Sequence, residues 1–164
     1  MPLLDGLLEK RCTTDAIDLA GRIGPAAGPV LPRLRQVLDE QLAANARNER
    51  NGASVLNDWW TIIRVASALW EIGGANQADT VLPVLLDAWK NDDASTHAVV
   101  ACLDRMGPAA RPVLRQIHAA LARPHRYEQL WTGAVALDLE IEHTCRTILA
   151  RLQDHTKPTL TEQA

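Results

Sequence analysis

The sequence predicts an all-α protein: a right-handed α-solenoid of antiparallel helix pairs, with three clear repeats and a C-terminal helical cap. Three observations predict it. Gly24-Pro25-Ala26-Ala27-Gly28-Pro29-Val30-Leu31 returns as Gly107-Pro108-Ala109-Ala110-Arg111-Pro112-Val113-Leu114, identical at seven of eight positions, and such self-similarity marks stacked repeats. Apolar residues recur at helical spacing on both sides of each copy. Phe is absent, Tyr127 is the lone tyrosine, and helix formers outnumber the aromatic residues that favour strands.

Composition narrows the class. With 47% hydrophobic and 23% charged residues among 164, the chain has the balance of a water-soluble folded protein. One solenoid domain over residues 1–155 is expected, followed by a frayed tail at 156–164. No stretch approaches the ~20 apolar residues of a membrane span, and Met1-Pro2-Leu3-Leu4-Asp5 lacks the basic start and apolar run of a secretory signal. A cytoplasmic site is expected. The net charge of -3 weighs against nucleic acid, whose binders carry a basic excess or stripe. Cys12, Cys102 and Cys145 are odd in number and far apart, the pattern of reduced thiols.

At the N-terminus, Leu3, Leu4, Leu7 and Leu8 form an apolar stripe on a short helix. Either the first repeat or another chain must cover it. In the first repeat, Ala16, Ile17, Leu19, Ala20 and Ile23 give one stripe, and Val30, Leu31, Leu34, Val37 and Leu38 a second. Gly24 ends the first helix as a left-handed C-cap, and Pro29 can open the next. Ala44 to Asp58 is polar, rich in Asn, and reads as an inserted loop.

The second repeat runs through Ile62, Ile63, Ala66, Leu69, Trp70 and Ile72 to Gly73-Gly74, then through Val81, Leu82, Leu85, Leu86 and Trp89. Matching Ile72-Gly73 to Ile23-Gly24 and Met106-Gly107 gives intervals of 49 and 34 residues. The excess in the first corresponds to the insertion. Asp92, Asp93 and Ser95 supply N-cap chemistry for the third repeat, whose stripes are Val99, Val100, Cys102, Leu103 and Met106, then Val113, Leu114, Ile117 and Leu121. Pro124 stops it. Past an irregular stretch, Leu139, Ile141, Cys145, Ile148, Leu149 and Leu152 form an amphipathic cap helix, with Glu140, Glu142, His143, Arg146, Arg151 and Asp154 on its wet side.

The runs Val65-Ala66-Ser67-Ala68-Leu69-Trp70-Glu71-Ile72-Gly73 with Val81-Leu82-Pro83-Val84-Leu85-Leu86, and Ala101-Cys102-Leu103-Asp104-Arg105-Met106-Gly107-Pro108-Ala109-Ala110, resemble HEAT repeats of the short bacterial kind grouped with phycobilisome-lyase-like repeats. The resemblance covers roughly Asp15 to Pro124 and extends more weakly to Leu152. It implies a curved stack of helix pairs whose second helices line a concave surface that docks a protein or peptide, and occasionally a nucleic acid. Lyase relatives bind a bilin, but no residue pattern here transfers that activity.

The expected function is therefore a non-catalytic interaction scaffold holding a protein, a peptide or another region of a longer parent chain. Facing away from the core on the second helices are Arg33, Gln36 and Glu40, then Asp87 and Asn91, then Gln116 and Arg123. Their mixed signs fit a protein surface better than a phosphate backbone. Trp59 and Trp60 are adjacent on a helix, so their indoles diverge by about 100° and an exposed one would serve as an interface anchor. Partial burial under the Ala44 to Asp58 loop is nevertheless the expected arrangement, with the exposed anchor as the alternative. No catalytic residue, cofactor or metal site is expected: Glu140-x-x-His143 lacks the second copy that a carboxylate-bridged metal needs. His118 and His125 with Arg123 and Arg126 complement a helix C-terminus, and Cys12 has no histidine in a nucleophile setting. The alternatives are a HEAT-like DNA glycosylase-type enzyme and an accessory subunit of a bilin lyase-type complex.

Overall fold

The computed structural model describes residues 13–122 and 134–154. Every element there is helical, and no strand occurs among the described residues. The α-helices are α1 (Thr13–Ile23), α2 (Leu31–Arg50), α3 (Trp59–Gly73), α4 (Ala78–Asn91), α5 (Thr96–Met106), α6 (Leu114–Leu121) and α7 (Ala134–Asp154). Short 3₁₀ segments join several of them. No described helix is long and apolar enough to cross a membrane. The leucine stripe of residues 3–8, Cys12, the basic residues at 123–126 and the 156–164 tail lie outside the described residues.

The chain divides into two compact units, Met1–Ser95 and Thr96–Ala164. In the first, α3 packs against α1, α2, α4 and the 3₁₀ segments Gly24–Val30 and Gly74–Gln77. Its sequence explains that central place. Trp59, Ile62, Ile63, Val65, Ala66, Ala68, Leu69 and Ile72 are all buried, leaving Trp60, Arg64, Ser67 and Glu71 as one narrow wetter stripe; a helix apolar around most of its circumference belongs inside. The neighbours contribute Ile17, Leu34, Leu38, Val81 and Leu85, each withdrawn from solvent. At Gly21, α1 comes close enough that an added Cβ would lie 3.4 Å from the Ala68 Cα. Arg64 Nη1 then donates to Asp18 Oδ2 at 2.8 Å across the same pair of helices.

In the second unit, α7 packs against α5, α6 and the 3₁₀ segment Gly107–Val113. Ile141, Cys145, Ile148, Leu149 and Leu152 are buried, as the amphipathic pattern predicts. Leu139 is not, since it lies on the exposed side of α7. Glu140, His143, Arg146 and Arg151 face solvent, and Arg151 Nη1 donates to Asp104 Oδ1 of α5 at 2.7 Å. Cys102 and Cys145 are buried thiols outside any disulfide.

Four details differ from the sequence expectation. Gly24 and Gly107 do carry left-handed backbone, with φ of 67° and 53°, but in the second repeat the left-handed residue is Gly74 at 55°, while Gly73 has φ -108°. The equivalent glycines are thus 50 and 33 residues apart. Pro29 does not open a helix, because a 3₁₀ segment continues through Val30 and Pro32 occupies the first turn of α2. The helix then runs to Arg50, so only residues 51–58 of the expected 44–58 loop are a connection. Leu19 and Ile23, assigned to an apolar stripe, are 44% and 38% exposed.

The end of α2 shows why the helix reaches so far. Ala53 N–H donates to Asn48 O at 2.8 Å and Gly52 N–H to Glu49 O at 3.1 Å, with Gly52 at φ 70°. This six-to-one and five-to-two pairing around a left-handed glycine is a Schellman cap. It satisfies the last carbonyls of a 20-residue helix, about 30 Å long at 1.5 Å per residue.

Candidate functional site

Unit one assembles most of the residues expected to bind. Arg33, Gln36 and Glu40 share one face of α2 at helical spacing: Gln36 Nε2 donates to Glu40 Oε1 at 2.9 Å, and Arg33 Nη1 lies 3.7 Å from that same oxygen. One carboxylate therefore answers a cation and an amide at once. Gln36 and Glu40 are exposed and Arg33 half-buried, so the pair adds little to stability and stays open to exchange for a ligand's groups. On α4, Asn91 Nδ2 donates to Asp87 Oδ1 at 3.0 Å and to Asp87 O at 2.9 Å, with both residues exposed.

Arg35 Nη2 of α2 donates to Gln77 Oε1 at 2.9 Å, just before α4. Gln77 is buried, and its side chain occupies the space that a Cβ on Gly73 would take, 2.6 Å from the Gln77 Cγ. Sequence reading missed this bond. Gly73 was its signal, since Gly74 alone suffices for the turn.

Gln116 is exposed on α6 in the second unit, and Arg123 lies outside the described residues. The tryptophans separate as helical geometry demands: Trp59 is only 5% exposed, whereas Trp60 is 43% exposed. Trp59 is accordingly a core residue of α3, and any anchoring role falls to Trp60. Trp70 and Trp89 are half-buried.

The α2–α3 connection contributes a feature the sequence reading did not single out. Asn45, buried, accepts from Asp58 N–H at 3.1 Å through Oδ1; Asp58 Oδ1 in turn accepts from Thr61 N–H at 2.9 Å and caps α3. Between these fixed ends the 3₁₀ turn Ser54–Leu56 holds Val55 and Leu56 at 90% and 68% exposure. The visible signal was an apolar dipeptide within an otherwise polar stretch.

Among the described residues, no group of three or more His, Cys, Asp or Glu side chains is arranged to hold a metal ion. Comparison of the chain with protein-family models, curated proteins and solved structures finds no match.

Proposed function

We propose that this chain is a non-catalytic protein-interaction module, a short α-solenoid of HEAT-like helix pairs that holds a protein or peptide on the face of its second helices. The observation that carries the reading is the Arg33, Gln36 and Glu40 cluster on α2. Its guanidinium and carboxylate offset each other, and Asp87 and Asn91 on α4 add acid and amide. Such a surface offers donors and acceptors in both senses without a strong potential of one sign, which suits polypeptide backbone and mixed side chains. A phosphate backbone would require several unopposed cations.

Two measurements test this. Selection of a random-peptide display library on the folded chain is expected to enrich peptides whose affinity falls about tenfold when Gln36, Glu40, Asp87 and Asn91 are changed to alanine together, a loss of ~1.4 kcal/mol. Titration with duplex DNA at low salt should show no saturable binding. Salt-dependent affinity for the duplex would overturn the reading in favour of a nucleic-acid enzyme, and a co-purifying coloured tetrapyrrole would favour a lyase subunit.

A further inference from the structure

Six asparagines occur in the chain, at 45, 48, 51, 57, 76 and 91, and Asn51 is the one followed by glycine. That neighbour matters chemically. The backbone nitrogen of the next residue can attack the side-chain Cγ of asparagine, closing a five-membered succinimide and expelling Nδ2 as ammonia. Glycine has no Cβ to obstruct the approach. Water then opens the ring at either carbonyl, so the net change is asparagine plus water giving aspartate or isoaspartate plus ammonia, with one added negative charge. Asn51 and Gly52 are both exposed, so water and hydroxide reach them.

The folded backbone holds the reacting atoms apart. Ring closure needs Cβ of Asn51 to eclipse the Gly52 nitrogen across the Cα–C bond, because all four atoms belong to the ring. At ψ 4° the eclipsing atom is instead the backbone nitrogen of Asn51, and Cβ lies about a third of a turn away at the next tetrahedral position. The attacking nitrogen must also give up its proton, which Gly52 N–H shares with Glu49 O at 3.1 Å. Turning Asn51 through that angle carries Gly52 and Ala53 with it, breaking the bond to Glu49 O and the bond from Ala53 N–H to Asn48 O together. We propose that Asn51 is a deamidation site whose rate is set by opening of the cap that ends α2. While the cap is closed the pair does not react, and each opening of that one turn presents it to hydroxide. The isoaspartate product places an extra backbone carbon between the residue 51 Cα and the Gly52 nitrogen, so a chain once converted cannot re-form the cap pairing.

The test follows the mass gain of amide becoming acid, peptide by peptide, in the full chain incubated at mildly alkaline pH, both folded and unfolded in guanidinium chloride. In the unfolded chain conversion is expected first at Asn51. In the folded chain Asn51 should convert at least about tenfold more slowly, since the reaction samples only the open population. Ala53→Pro removes the N–H that bonds Asn48 O and should bring the two rates close together. Gly52→Ala strains a φ of 70° and should narrow the difference about fivefold, each variant being compared with its own unfolded chain. Leu85→Ala, at a fully buried position of α4 in the same unit, lowers stability away from the cap and should leave the difference unchanged. Equal rates in the folded and unfolded parent would overturn the proposal, as would faster conversion at another asparagine of the unfolded chain or an unchanged difference in both cap variants. Acceleration by Leu85→Ala as large as that from Gly52→Ala would assign the opening to the whole unit and remove the cap as its gate.

Discussion

Gly73 and Gly74 stand side by side for different physical reasons. Gly74 supplies a left-handed φ, and Gly73 leaves room for the buried Gln77 side chain. At Gly107 only the first reason applies, since nothing lies within 4 Å of an added Cβ. Gly107→Ala is therefore expected to lower stability by about 1 kcal/mol through backbone strain. Gly28→Ala, also with nothing within 4 Å and without a positive φ, should be neutral or stabilise by a few tenths of a kcal/mol. Urea unfolding of both checks the contrast, and equal midpoints would refute it. Asn45→Leu removes the acceptor of Asp58 N–H and should cost about 1–3 kcal/mol, read from the same curves. The sequence exposes the glycine positions, because φ limits act within one residue. It hides the Asn45 bond, which joins positions 13 residues apart.

At the level of elements, the apolar stripes place most buried positions correctly, and the errors have a common cause. Periodicity reports which residues share a face, and that face is buried only where another helix arrives. Leu19 and Ile23 of α1 and Leu139 of α7 fit their stripes and yet are exposed. The end of α2 was legible in Asn51-Gly52, an ordinary C-cap signal, but the density of Asn before it concealed a helix whose last turns are covered by the returning 3₁₀ turn. Two tests belong at this scale. Gly21→Leu should push α1 from α3 and cost about 1–3 kcal/mol. Ile148→Ala on the buried side of α7 should cost about 2–5 kcal/mol, whereas Leu139→Ala on its exposed side should change the melting temperature little. Thermal unfolding distinguishes them, and similar losses at 148 and 139 would contradict the orientation of α7.

For the molecule as a whole, the all-helical class was visible in the apolar residues that recur at helical spacing on both sides of the repeated octapeptide, and every described element is helical. The division at Ser95 and Thr96 was not visible, because it follows from which helices pack together and falls in a connector no more polar than others. Within the first unit, α3 touches each of the other described α-helices and should carry the slowest-exchanging amides among them. Native-state hydrogen exchange measures this, and faster exchange in α3 than in α1 would contradict its central position. The candidate site was only half legible: exposed second-helix positions follow from periodicity, while the exposure of Trp60 depends on which of two adjacent indoles the packing leaves outside.

The left-handed glycines also define where this chain can be recombined. A chimera spliced on the visible Ile-Gly match would exchange Gly73 for Gly24 or Gly107, seating the donor fragment one residue out of phase and rotating its following helix by about 100°. Joining at Gly24, Gly74 and Gly107, the residues that share the backbone conformation, keeps a left-handed glycine at each junction.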